Sequence, residues 1–209
     1  MPEICGGCQS LGATRLCSRC RGVSYCNEEC QKNAWRAHKP TCVPKTVKGI
    51  IIHPDKDRAK GIFSETEISP THPIHTQAIP LPLPAQVGVP LVMYRHPFNR
   101  ARATPGDFDN QIATYLLISP VTGLAPFQYQ GDVGTVTLMR KDYKPLSKLD
   151  VETIWMYHSD ILDMFGDDYG EDRAHAMTTK GEFQTYCEEY KENCLLNGRS
   201  EYAQQSLPI

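Results

Sequence analysis

The chain has no apolar run approaching the roughly 20 residues that a membrane-spanning helix needs. No membrane partner is therefore expected. No apolar leader precedes the first cysteine, Cys5, so the expected setting is the reducing interior of the cell, nucleus or cytoplasm. No internal repeat is present. The net charge is only -2, and hydrophobic and charged contents of 40% and 22% exclude a disordered composition. Cysteine is scarce over most of the chain. Of nine cysteines, only Cys187 and Cys194 lie beyond residue 42.

The other seven stand with one histidine as Cys5-x2-Cys8-x8-Cys17-x2-Cys20-x5-Cys26-x3-Cys30-x7-His38-x3-Cys42. Eight soft ligands in four pairs are what two tetrahedral zinc ions require. A disulfide framework would leave an odd thiol, whereas a metal reading uses every one. Cys5/Cys8 and Cys17/Cys20 have the knuckle spacing that brings two thiolates and turn N–H groups onto one ion. Cys26/Cys30 and His38/Cys42 are four apart, which places both members of each pair on one helical face. Spacing alone leaves open which pairs share an ion: a sequential and an interleaved scheme are both geometrically allowed.

The expected organisation is a zinc-stabilised finger over 1–45, closed by Pro44, and an α+β domain over 46–209. A module as short as the finger buries too little apolar surface to fold alone, so metal must supply about 10–16 kcal/mol per structural zinc. Residues 1–45 hold seven Lys/Arg against three Asp/Glu. That excess suggests nucleic acid, through Arg15, Arg19, Arg21, Arg36 and Lys39. Seven thiolates and two Zn²⁺ reduce the module to about +1, however, so the basic footprint largely disappears.

In the second domain, Val47–Ile52, Val89–Tyr94, Ile112–Ile118 and Val133–Met139 read as strands, with turns at Thr122-Gly123 and Gly131-Asp132. Val151, Ile154, Trp155, His158, Ile161, Leu162 and Phe165 keep helical spacing, with Asp150 as N-cap and Gly166 as stop. Thr179-x-x-Glu182 opens a second helix through Tyr186 and Tyr190. Six prolines between Pro70 and Pro90 predict an extended, polyproline-like surface segment.

The ligand order, together with Tyr25-Cys26-Asn27-Glu28-Glu29-Cys30-Gln31-Lys32 and Trp35-x-x-His38-Lys39, resembles a MYND-type zinc finger over residues 5–42. The resemblance implies interleaved zincs: Cys5, Cys8, Cys26 and Cys30 on one, Cys17, Cys20, His38 and Cys42 on the other. It also implies an adaptor for protein partners, in which a short hairpin and a helix grip an extended proline-containing peptide, often in transcriptional regulators. Strand addition is the physical basis. Gln31 and Trp35, four apart on one helical face, match the peptide-lining positions, although Trp35 also suits a simple cover for a zinc site. The segment Ile79-Pro80-Leu81-Pro82-Leu83-Pro84 resembles such peptides, which read Pro-x-Leu-x-Pro, but its register is wrong, so capture within the chain is not expected.

A RING-type ligase places its histidine nearer the middle of the ligand series and ends in C-x2-C, which this chain does not. SET-domain methyltransferases with MYND fingers carry part of the catalytic domain ahead of the finger, and here four residues precede Cys5. Prolyl hydroxylases need His-x-Asp and a distant histidine. His158-Ser159-Asp160 sits in the helical pattern, with His175 unusually close, so His158 reads as a core histidine. Cys187 and Cys194 share a helix face and read as buried thiols. The run Asp160, Asp163, Asp167, Asp168, Glu171, Asp172 misses EF-hand spacing and reads as a solvated acidic helix end. No enzymatic activity is expected, and none is visible for residues 46–209.

Overall fold

A computed structural model describes residues 3–42, 46–99, 104, 106–166, 170–206 and 208. Pro44, Asp167 and Asp168, singled out above, lie outside the described residues. The chain divides into two compact units. One runs through Thr46 and takes in Ile68–His72; the other comprises Val47–Glu67 and Pro73–Ile209.

The first unit holds two small hairpins and a helix. Strand β1 (Glu3–Ile4) pairs antiparallel with β2 (Leu11–Ala13), and β3 (Arg15–Leu16) pairs with β4 (Ser24–Tyr25). Helix α1 (Glu28–His38) starts at Asn27, whose side chain accepts the Cys30 N–H at 2.9 Å. Glu28 and Glu29 in its first turn and Arg36 in its last complement the helix dipole. Its buried side chains are mostly cysteines around Tyr25, with Val23, Ala34 and Trp35 packed alongside. That is too little apolar surface to hold a fold without metal.

The second unit is built on a five-stranded sheet ordered β6-β5-β9-β8-β7. Its strands are β5 (Val47–Ile52), β6 (Phe63–Ile68), β7 (Ile79–Pro80), β8 (Leu91–Arg95) and β9 (Val136–Arg140). The central strand β9 is buried along its whole length. Register sets Leu138 beside Ile50 and Met93, and Val136 beside Ile52 and Arg95. Against this sheet pack α4 (Gln111–Leu116), α5 (Lys148–Phe165) and α7 (Lys180–Leu196) through Ile112, Leu116, Val151, Ile154, Tyr157, Ile161, Phe183 and Cys187, in one continuous core. The short helices α2 (Ile74–Gln77), α3 (Pro82–Gln86) and α6 (Gly170–Met177) complete the unit.

Three expectations are corrected. Within Ile112–Ile118 the chain forms helix α4 as far as Leu116, with Leu117 as its C-cap, instead of a strand. Buried Ile112, Ala113, Leu116 and Leu117 follow helical spacing, and Asn110 caps the helix by accepting the Ala113 N–H at 3.1 Å. So short an apolar run is ambiguous by period, and the cap decides it. Helix α5 begins one turn earlier than expected. Ser147 is its N-cap and Asp150 its third residue, in a reciprocal capping box of 3.0 and 2.8 Å.

The proline-rich segment is neither extended throughout nor superficial. Leu81 and Leu83 are fully buried, Pro80 lies in the edge strand β7, and Pro82 sits in the first turn of α3. Proline's missing N–H costs nothing at those places. The alternating leucines supply core while the prolines take positions without a donor.

On α5, His158 is wholly buried and its Nδ1 lies 2.7 Å from the Ile154 carbonyl, which fits the core-histidine reading. Cys187 and Cys194 are buried on α7, and burial pushes the Cys187 thiol up to about 12.

Burial pushes the His158 imidazole down from 6.5 to about 4. Between those values the unfolded chain takes up a proton that the folded chain refuses. The stability is present in full above about pH 6.5 and is lost as pH falls toward about 4, by about 3 kcal/mol. Urea unfolding followed by near-ultraviolet circular dichroism should show this loss in the parent and a shallower acid slope in His158→Leu. Comparing the two proteins cancels any acid release of metal that both share. Equal slopes would contradict the assignment.

Candidate metal centre

Each knuckle is built the same way. Cys5 follows β1 and Cys17 follows β3; four residues on, the N–H of Gln9 donates to the Cys5 carbonyl at 3.0 Å and that of Arg21 to the Cys17 carbonyl at 2.9 Å. Gln9 and Arg21 close the two turns in left-handed conformations, with φ of 62° and 50°. Between Cys5 and Cys8 the backbone passes so near α1 that a Cβ on Gly7 would lie 2.6 Å from the Cys30 carbonyl oxygen. Glycine is therefore needed there.

The ligand atoms gather into two groups: Cys5, Cys8, Cys26 and Cys30, and Cys17, Cys20, His38 and Cys42. Within each group all lie within 4.8 Å of one another. The pairing is interleaved, and the sequential alternative is excluded. Four thiolates at about 2.3 Å from a central zinc stand about 3.8 Å apart along each tetrahedral edge. Cys8 and Cys26 sulfurs are 3.6 Å apart, Cys17 and Cys42 are 3.8 Å, and Cys20 Sγ is 3.3 Å from His38 Nε2. These separations suit zinc.

The electrostatics agree. N–H groups of Cys8, Gly7 and Cys26 bring the Cys5 thiol down to about 6. Burial opposes ionisation of Cys17, yet the Cys20 and Arg19 N–H groups still bring it to about 6. Contacts with Cys8 and Cys5 push Cys26 up to about 12, while burial and the sulfurs of Cys17 and Cys20 push Cys42 up to about 11. Some thiols in each group ionise readily and their charges then suppress the rest. A dication among them is what allows all to ionise.

Helix α1 joins the centres, with Cys30 in its first turn and His38 at its end. The rise between those residues is about 12 Å. The Gly7 and Cys26 N–H groups reach the Cys5 sulfur, and that of Gly22 reaches Cys20, each at 3.4 Å. Trp35 packs edge-on against His38, ring centroids 5.9 Å apart, and Tyr25 approaches the same imidazole at 6.2 Å.

The sequence profile of the MYND finger family matches residues 5–42. Residues 5–42 are a MYND finger. The same segment is 50% identical over 43 residues to Ubiquitin carboxyl-terminal hydrolase 15 of Arabidopsis thaliana, covering 20% of this chain and 4% of that protein. It is 52% identical over 40 residues to N-lysine methyltransferase SMYD2 of Homo sapiens, covering 19% and 9%, and 40% identical over 40 residues to Dauer abnormal formation protein 25 of Caenorhabditis elegans, covering 19% and 10%. The chain thus spans no more than a tenth of the length of these curated relatives. No solved structure matches the chain. MYND fingers are protein-interaction modules, and this finger is one.

Beside the second metal group lies a groove of about 490 Å³, walled by Gln31 and Trp35 on α1 and by Arg15, Cys17, Ser18 and Arg19 on β3 and the loop after it. Gln31 Nε2 also points at Cys17 Sγ, 3.8 Å away. The residues of the β3 side were not singled out from the sequence as groove-forming. Their signal was available in retrospect: they flank the knuckle whose tetrad includes His38, one turn from Trp35.

The finger should bind two zinc ions per chain by elemental analysis. Cys17→Ala should bind fewer and lose the dispersed amide resonances of residues 5–42, because a structural site short of one ligand forfeits folding energy. A parent protein with one zinc or none would refute the assignment.

Proposed function

We propose that the MYND finger of this chain recognises an extended, proline-containing peptide in the groove between β3 and α1, and that the protein acts as an intracellular adaptor, in nucleus or cytoplasm, in transcriptional regulation. Catalysis is not part of this role. The observation that carries the reading is the position of Trp35: one edge rests on His38 and the rest of the half-buried indole walls the groove. Aromatic side chains of this kind dominate small interfaces, since they offer large area at little entropic loss.

The backbone of β3 supplies a second element. The Cys17 N–H bonds the Val23 carbonyl at 2.9 Å, and Leu16 stands opposite Ser24. By antiparallel alternation the Leu16 N–H and C=O point away from β4. Among the described residues no strand pairs with that outer edge. A proline-containing peptide lacks internal hydrogen bonds and some donors, so it suits addition along a short edge with its side chains seated in a shallow groove.

Trp35→Ala should keep both zincs yet bind a proline-rich peptide roughly thirtyfold more weakly, a loss of about 2 kcal/mol. Trp35→Phe should recover part of the affinity. Lys32→Ala should change little, because Lys32 is solvent-exposed and paired with Glu28 at 2.8 Å. Titration calorimetry with zinc content measured on each sample decides the matter. Parental affinity in a zinc-replete Trp35→Ala protein would remove the helix from the recognition role.

A further inference from the structure

The groove carries more positive charge than its architecture requires. Arg15 projects from β3 and Arg19 from the loop between Cys17 and Cys20; both are exposed and both line the groove. Neither guanidinium is engaged in an ion pair or hydrogen bond among the described residues. The other two charges on the walls pair with each other, Lys32 holding Glu28 at 2.8 Å. Two arginines outside any ion pair are left beside the aromatic wall.

The metal centre is not the source of this excess. Three thiolates, one neutral imidazole and one dication leave the adjacent tetrad at a net charge of about -1. Any preference for anions must therefore come from the two side chains. Guanidinium is suited to it, because its planar array of donors matches a carboxylate in a bidentate fashion and it is weakly hydrated for a cation.

We infer that the peptide taken by this groove carries aspartate or glutamate beside its proline core, with the carboxylate received by Arg15 and Arg19. The inference rests on the peptide-groove reading and adds the charge of the partner to it. A nucleic acid is the less favoured occupant. Within the groove the two arginines stand beside Glu28, Gln31 and an indole, whereas phosphate backbones are tracked by longer basic stripes. The arginines act as a selectivity filter: hydrophobic and main-chain contacts hold any proline-containing strand, and the flanking charge decides which strands are held longer.

The test is fluorescence anisotropy of the zinc-loaded full chain with three labelled peptides sharing a Pro-x-Leu-x-Pro core, flanked on both sides by Glu, Gln or Lys. A random-sequence DNA duplex is the fourth probe. The Glu-flanked peptide should bind roughly three- to tenfold more tightly than the Gln-flanked one, the range for partly exposed charge pairs, and the Lys-flanked one more weakly than either. The advantage should shrink with added salt. In a protein carrying both Arg15→Gln and Arg19→Gln the Glu-flanked peptide should lose its advantage, so that the Glu- and Gln-flanked peptides bind alike. Equal binding of Glu- and Gln-flanked peptides to the parent would overturn the charge preference while leaving the groove reading intact. Failure of all three peptides to bind would overturn both. Binding of the duplex more tightly than any peptide, lost in the same double variant, would reassign the arginines to phosphate.

Discussion

Seven thiols and one imidazole are gathered into two groups whose members lie within 4.8 Å of one another, and like charges at that range repel. The N–H groups around Cys5 and Cys17 favour thiolate, while neighbouring sulfurs suppress ionisation of Cys26 and Cys42. A dication in each group removes that conflict. Everything else in the finger depends on it. Helix α1 contributes Cys30 to one centre and His38 to the other, so its axis is held at both ends. The side chains between those ends, Gln31 and Trp35, are then fixed relative to β3, whose Cys17 belongs to the same centre as His38. The groove is a by-product of the cross-brace.

The second unit is held by different physics. Its sheet and helices share one continuous apolar core, and β9 is covered along its whole length. A buried charged residue on that strand, Arg140, is neutralised by Asp142, whose oxygens lie 2.9 and 2.8 Å from the guanidinium. Among the described residues this unit gathers no cluster of metal ligands, whereas in the finger the buried apolar side chains are little more than the ligands and Tyr25.

What the sequence disclosed follows the same division. The metal ligands were legible because coordination chemistry restricts both residue type and spacing, and the long helices α5 and α7 because they repeat one face over several turns. The pairing of ligands was not legible from spacing; interleaving depends on β3–β4 folding back between the knuckles, which is a tertiary event. Ile112–Ile118 was misassigned because a short buried run satisfies helix and strand alike. The signal that separates them, Asn110 capping at Ala113, lies two residues ahead of the run. The proline-rich segment misled for a related reason. Proline composition favours an extended chain only when the intervening residues prefer water, and Leu81 and Leu83 are core residues. The groove itself was half visible: α1 revealed Gln31 and Trp35, while Arg15 and Arg19 enter only once the second knuckle is folded against the helix.

The central claim is that two interleaved tetrads, one of four thiolates and one of three thiolates with an imidazole, organise the finger. X-ray absorption at the zinc edge of the purified protein addresses it directly, since it counts neighbours by element. The two ligand sets together require a first shell averaging 3.5 sulfurs and 0.5 nitrogen per zinc, with Zn–S near 2.3 Å, roughly the length of a closed structural site. In His38→Cys the shell should become all sulfur at unchanged zinc content. A parent shell dominated by oxygen or nitrogen, or one sulfur-rich but unaltered by that substitution, would contradict it.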